Sequence, residues 1–168
     1  MNISIAICKY FALGSFIFCS ISSCKNNAES FTPQERSIVQ DSVRLMADSI
    51  AKDISAKGPV IWLRYFENTP DFFMAADGQL AFPNFDTATN FINHTLIKIM
   101  PKIQLRWTNI RIDPLSTKLA SFSAVYHEDI TDPAGKTTAY DGYFTGIAHQ
   151  TSQGWKLRNA HWSSMVAH

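Results

Sequence analysis

From Ile103 onward the chain keeps to a period of two, interrupted only by turns, and nothing else in it constrains the fold as strongly. Successive side chains of a strand point to opposite faces, so each stretch offers one face to a core and one to another environment. The first stretch, Ile103–Asp113, places Ile103, Leu105 and Trp107 on one parity and Ile110 and Ile112 on the other. That switch predicts a bulge near Thr108-Asn109, which would bend the sheet. After a turn at Pro114-Leu115-Ser116-Thr117, the stretch Lys118–Asp129 aligns Ala120, Phe122, Ala124 and Tyr126 on one face. Asp132-Pro133-Ala134-Gly135 is a strong turn signal. In the third stretch, Thr137–Gln150, Tyr140 and Phe144 share one face and Tyr143 and Ile147 the other, so either face could point inward.

The last stretch follows a turn at Thr151-Ser152-Gln153-Gly154. Its one parity carries Trp155, Leu157, Asn159, His161 and Ser163; the other carries Lys156, Arg158, Ala160, Trp162 and Ser164. The first set runs from apolar to polar along the strand. It is the pattern of a strand that crosses a core and finishes in a cavity.

The N-terminal half has the helical period. Thr32-Pro33-Gln34-Glu35 reads as a capping box with proline at the first helical position. Val39, Val43, Met46, Ile50 and Ile54 then form one apolar stripe up to Gly58-Pro59. The charged residues Arg36, Asp41, Arg44, Asp48 and Lys52 lie on the opposite, solvated face. A short second helix groups Trp62, Tyr65 and Phe66. Asp77-Gly78 signals a hairpin between two short strands. A third helix has Asp86 as a fair N-cap and carries Phe91, Ile92, Leu96, Ile99 and Met100 before Pro101. Helices first and long strands last imply an α+β domain, with three N-terminal helices on one face of a strongly curved antiparallel sheet. No internal repeat suggests a second domain.

Residues 1–23 read as a signal peptide, with Lys9 as the only charge and an apolar run from Tyr10 to Ile21. Ile21-Ser22-Ser23-Cys24 resembles a bacterial lipobox, which implies lipidation of Cys24, a polar tether over residues 24–31, a folded domain over 32–168 and anchoring in the cell envelope through the lipid. All three cysteines, Cys8, Cys19 and Cys24, lie in this region. The folded domain therefore has no disulfide framework, thiol nucleophile or cysteine metal ligand. Beyond the leader, 14 of the 15 Lys and Arg residues face 14 acidic ones, with no basic stripe, so nucleic acid is not an expected partner. The five histidines show no His-x-x-x-His pair, and neither a Gly-x-Ser-x-Gly elbow nor a phosphate loop is present. No metal or cofactor is expected.

The order of elements, with Gly154-Trp155-Lys156-Leu157, His161-Trp162-Ser163 and the preceding Asp141-Gly142-Tyr143-Phe144-Thr145-Gly146-Ile147, resembles the NTF2-like superfamily, and most closely its SnoaL-like and DUF4440-type branch. The resemblance covers roughly residues 35–164. It implies a cone-shaped, cystatin-like fold with a pocket at the wide end, and homodimers through the outer face of the sheet. Such domains include isomerases, dehydratases and cyclases as well as non-catalytic binders. Some branch members carry a second histidine where this chain has Asn159, and an amide cannot shuttle protons.

His161 is the foremost candidate, as pocket lining or general base, against the plainer role of a buried, hydrogen-bonded histidine. Asp141 is a second candidate base, against a solvent-facing strand residue. Tyr126 and Asn159 are placed with His161 at the mouth, and Trp62, Tyr65 and Trp107 as aromatic walls or simple core. The expected function is binding of a small apolar or amphipathic ligand, or of a partner protein, without catalysis. The alternative is an isomerase, dehydratase or cyclase in which His161 or Asp141 takes a proton and a tyrosine donates to an oxyanion.

Overall fold

The computed structural model describes residues 31–165. The capping box forms: Thr32 N–H and Oγ1 both donate to Glu35 Oε2 at 2.8 Å, and Glu35 N–H donates to Thr32 Oγ1 at 3.2 Å. It opens α1 (Pro33–Lys57), whose stripe of Val39, Val43, Met46, Ala47, Ile50 and Ile54 is buried. A single 3₁₀ turn, Pro59–Ile61, leads into α2 (Trp62–Tyr65). Strands β1 (Phe73–Ala76) and β2 (Gln79–Phe82) follow, joined by Asp77 and Gly78. Both turn residues have positive φ, 46° and 80°, as a tight hairpin turn of the primed type requires. The next helix begins as α3 (Phe85–Phe91), widens into a π turn (Ile92–Leu96) and ends as α4 (Ile97–Ile99). Asn84, not Asp86, is its N-cap: Asn84 Oδ1 accepts the N–H of Thr87 at 2.9 Å.

Four long strands complete the domain: β3 (Lys102–Pro114), β4 (Leu119–Thr131), β5 (Thr137–Thr151) and β6 (Gly154–Ser164). Sheet order is β2-β1-β6-β5-β4-β3. The sheet is mixed rather than wholly antiparallel, because β1 lies parallel to β6, with Phe73 opposite Asn159 and Ala75 opposite His161. The expected bulge in β3 is present between Thr108 and Arg111, where Asn109 adopts a φ of 49°.

A second bulge lies in β6. Ala148 of β5 pairs with Leu157, but Ile147 pairs with Asn159, so Arg158 is an extra residue. Trp155 and Leu157 point inward as expected; beyond the bulge the parity reverses, and the inward residues are Ala160, Trp162 and Ser164. β5 resolves its two faces: Phe144 and Ala148 are fully buried, and Tyr140 lines the interior.

Trp162 is the centre of the interior. Its ring stacks on Trp107 at 5.5 Å and meets Trp62, Tyr126 and Phe144 edge-on at 5.5, 4.7 and 5.0 Å. Trp107 in turn donates its indole N–H to the Ala47 carbonyl of α1 at 3.0 Å, tying sheet to helix. Helix α1 starts where β3 ends, with Arg36 Nη1 donating to Pro114 O at 3.2 Å. It finishes where β3 begins, with Gly58 packed against Pro101 O.

Candidate functional site

A cavity of about 520 Å³ opens between the inner face of the sheet and the helix of residues 85–99. Its floor is buried and apolar: Trp62, Phe66, Phe82, Ile92 and Ile103, with the ring of Tyr126. The π turn belongs to this wall, since Phe91, Ile92 and Leu96 all face the cavity. The exposed lining residues are Asp77, Ala81, Ile99, Tyr140 and Ser164, and they mark the rim. They gather at one end of the sheet, where β1 and β6 finish and β5 begins. A mostly apolar hollow with a few polar groups on one side is the usual form of a small-molecule site.

Those polar groups are Glu128, Tyr126, Tyr140, Asp77 and Ser164. Tyr126 and Glu128 are two apart on β4 and so share its inner face; Tyr140 of β5 is the direct partner of Glu128 in the sheet. Tyr126 lies opposite Gly142, and the approach is close: a Cβ on Gly142 would stand 2.4 Å from the Tyr126 phenol. The glycine is therefore the space that lets the tyrosine ring lie against β5. Asp77 ties the hairpin turn to the end of β6. Its Oδ1 accepts the Ser164 N–H at 2.7 Å and its Oδ2 the Ser164 hydroxyl at 3.1 Å, while its own N–H donates to Trp162 O.

Glu128 is the chemically distinctive group. Among the described residues no hydrogen bond reaches its carboxyl, and removal from water pushes its pKa up to about 7. A carboxyl with that value is divided between acid and base at neutral pH. Burial also raises the pKa of Tyr126, chiefly by desolvation, against a lowering contribution from the Ser164 hydroxyl. Its phenol is therefore protonated and a donor at neutral pH.

Of the residues expected at the site, Trp62 and Tyr126 line the cavity. Trp107 lies behind Trp162, in the core beneath it. Tyr65 faces away: its hydroxyl donates to Asp53 Oδ2 at 2.8 Å, and desolvation, with this bond to a carboxylate, pushes its pKa up to about 12. His161 is exposed on the outer face of β6. Asn159 fills the bulge, where its Oδ1 accepts the Ile147 N–H at 3.1 Å. Asp141 is also on the outer face and accepts from His127 Nδ1 at 2.7 Å; His127 Nε2 reaches Asp129 Oδ1 at 3.3 Å. The hydrogen bond to Asp141 raises the His127 pKa, the leading cause among several. His161, Asn159 and Asp141 therefore do not meet in the cavity, because one inserted residue turned the end of β6 over and because the inward face of β5 is that of Tyr140. Cys24 lies outside the described residues.

Glu128 escaped the sequence reading, although its signal was there. It continues the parity of Ala120, Phe122, Ala124 and Tyr126, so an acid extends an apolar face. A fully buried acid lies elsewhere, away from the cavity. Glu67 pairs with His149 Nδ1 at 2.9 Å through Oε1, and its Oε2 has no partner among the described residues. Among the described residues, no three His, Cys, Asp or Glu side chains converge as a metal site.

No family model and no curated protein matches the chain by sequence. Solved structures do match in shape. An NTF2-like superfamily protein from Salmonella enterica serovar Typhimurium aligns with 78% of this chain and 94% of its own, at 16% identity and a TM-score of 0.67. A hexachlorocyclohexane dehydrochlorinase of type 3 from Novosphingobium barchaimii aligns over 80% and 92%, at 9% identity and a TM-score of 0.64. A Caulobacter vibrioides protein described as having a cystatin-like fold aligns over 76% and 89%, at 14% identity and 0.59. Identities this low speak to architecture alone: the domain has the NTF2-like, cystatin-like fold, with three helices on a curved, open, mixed sheet of six strands.

Proposed function

We propose that the domain binds a small, mainly apolar molecule bearing one polar group, and that it does so in the cavity above Trp62 and Trp162. The observation that carries this reading is the distribution of polarity. The floor is aromatic and aliphatic, and the polar side chains cluster along the β4–β5 wall and the rim. A ligand would bury its apolar body against Phe66, Phe82 and Ile92 and direct its polar group to Glu128 and Tyr126. A neutral fluorescent probe such as N-phenyl-1-naphthylamine tests it. Saturable binding that is lost in Ala81→Trp, which fills the rim, supports the reading; equal binding by the two proteins would refute it. Native mass spectrometry of protein purified from its source cell then identifies a retained ligand.

Glu128 favours a second reading, proton transfer on a bound carbonyl-type substrate. The Glu128 carboxylate would take a proton from carbon, and the Tyr126 hydroxyl would donate to the oxygen where charge develops. The fold is shared with a dehydrochlorinase, which is a statement about that protein. In Glu128→Gln the binding reading keeps probe affinity; the enzyme reading adds a turnover that this variant abolishes while affinity stays.

The lipobox-like Ile21-Ser22-Ser23-Cys24 supports a third element of the proposal, export and anchoring through a lipid on Cys24. Metabolic labelling with an alkyne fatty acid should tag the protein and lose the tag in Cys24→Ala. Pairing of two copies through the outer sheet face, where Phe73 and Tyr143 are exposed, completes it. Sedimentation would register a Tyr143→Arg variant as a monomer.

A further inference from the structure

A cleft of about 420 Å³ lies between α1, α2 and the β5–β6 turn, and it shares no lining residue with the cavity above. Its chemistry is different. Arg64 and Lys156 lie on it with the amides of Gln150 and Gln153, the indole of Trp155 and the apolar side chain of Leu45; no acid lines it. The carboxylate in ion-pair reach of Arg64 is Asp53, and it is already divided among Lys57 Nζ at 3.0 Å, Arg64 Nη1 at 3.3 Å and the Tyr65 hydroxyl at 2.8 Å. Among the described residues Lys156 has no carboxylate partner; its Nζ donates to the Arg64 carbonyl oxygen. Burial and the neighbouring guanidinium both lower its pKa, in keeping with a cation held beside another cation.

Arg64, an exposed cation that shares Asp53 with Lys57, and the half-buried Lys156, which has no carboxylate partner among the described residues, form a local positive excess beside the cleft. The remaining groups are mostly donors: unused guanidinium and ammonium N–H groups, the Gln153 amide, the second N–H of Gln150, whose Nε2 also donates to Thr151 O at 3.4 Å, and an indole N–H. Leu45 and the Trp155 ring supply an apolar, partly planar wall. We infer that this cleft is a second ligand site, for an oxyanion (carboxylate or phosphate) carried on a planar or apolar group. Arg64 and Lys156 hold the oxyanion, and the Trp155 side of the cleft holds the attached group. The inference does not depend on what the main cavity binds.

The test is an NMR titration of the protein with 1-naphthyl phosphate, following the indole N–H of Trp155 and the side-chain amides of Gln150 and Gln153. Saturable shifts at these three groups are expected, weakened by added salt and absent with neutral 1-naphthol. Lys156→Met and Arg64→Gln should each weaken binding about tenfold, the loss of one charge-assisted hydrogen bond. Lys136→Met, which removes a cation that lines neither the cleft nor the cavity, should leave it unchanged. Shifts confined to the Trp62 and Trp162 indoles would overturn the inference, and so would undiminished binding by the double variant. Mapping on the unmutated protein keeps the result decisive even if a variant folds poorly.

Discussion

Glu128 differs from the other acids of the domain in having apolar surroundings and no partner among the described residues, and this has a measurable cost. Its pKa rises from an ordinary value of 4.5 to about 7 on folding, so between these values the folded protein binds more protons than the unfolded chain. Stability from this group is therefore full below about pH 4.5 and is lost as pH rises through 7. The shift corresponds to an upper bound of about 3 kcal/mol, less whatever solvent reaches the carboxyl through the rim. Glu128→Gln should thus be the more stable protein at pH 8, with the difference vanishing near pH 4.5. Denaturant melts at both pH values check this, and an equal difference at both would remove the desolvated carboxyl from the account. The two polar residues picked from the last strand should behave unlike each other. Asn159→Ala leaves the Ile147 N–H without its acceptor and should cost about 1–3 kcal/mol. His161→Ala, on an exposed outer position, should change stability by less than about 0.5 kcal/mol and leave probe binding untouched.

At the scale of elements, α1, the hairpin turn and the four long strands were legible because each is specified locally. A capping box, an apolar stripe, an Asp-Gly turn and period-two alternation need no knowledge of distant contacts. The bulge in β3 was legible because apolar residues step by three from Trp107 to Ile110. The same step occurs in β6, from Leu157 to Ala160, but the polar run Asn159–His161 on the uninterrupted parity resembled a cavity wall and outweighed it. A one-residue insertion exchanges the two faces of everything after it, so the bulge at Arg158 carries His161 to the outer face and Trp162 to the inner one. The parallel pairing of β1 with β6 was not legible at all. A four-residue strand carries too little pattern to fix its neighbour, and its place depends on the docking of chain segments nearly ninety residues apart, as the Arg158–Asp71 ion pair at 2.6 Å illustrates. The close approach of β4 and β5 gives a test at this scale. Gly142→Ala brings a methyl against both the Tyr126 ring and the Ser163 carbonyl, the latter at 2.3 Å, so strand or ring must shift. Loss of about 1–3 kcal/mol is expected, together with weakened probe binding from a displaced Tyr126. A fully stable variant with unchanged binding would show that the inner face tolerates a wider β4–β5 spacing.

Across the domain of residues 31–165, the cavity rim and the start of α1 lie at opposite ends. The rim gathers where β3 begins and β6 finishes, whereas α1 starts beside Pro114, at the far end of β3. With 25 residues, α1 runs about 37 Å between those ends. A group attached at the exposed start of α1 is thus held away from the rim. A resin or a fluorophore attached there leaves the opening free to exchange its contents with the surrounding fluid. A bulky group attached through Ala81→Cys, at one of the exposed rim residues, stands at the doorway instead. Stopped-flow release of N-phenyl-1-naphthylamine should accordingly keep its solution rate when the protein is tethered through Gln34→Cys, at the start of α1, and slow when the attachment is made through Ala81→Cys.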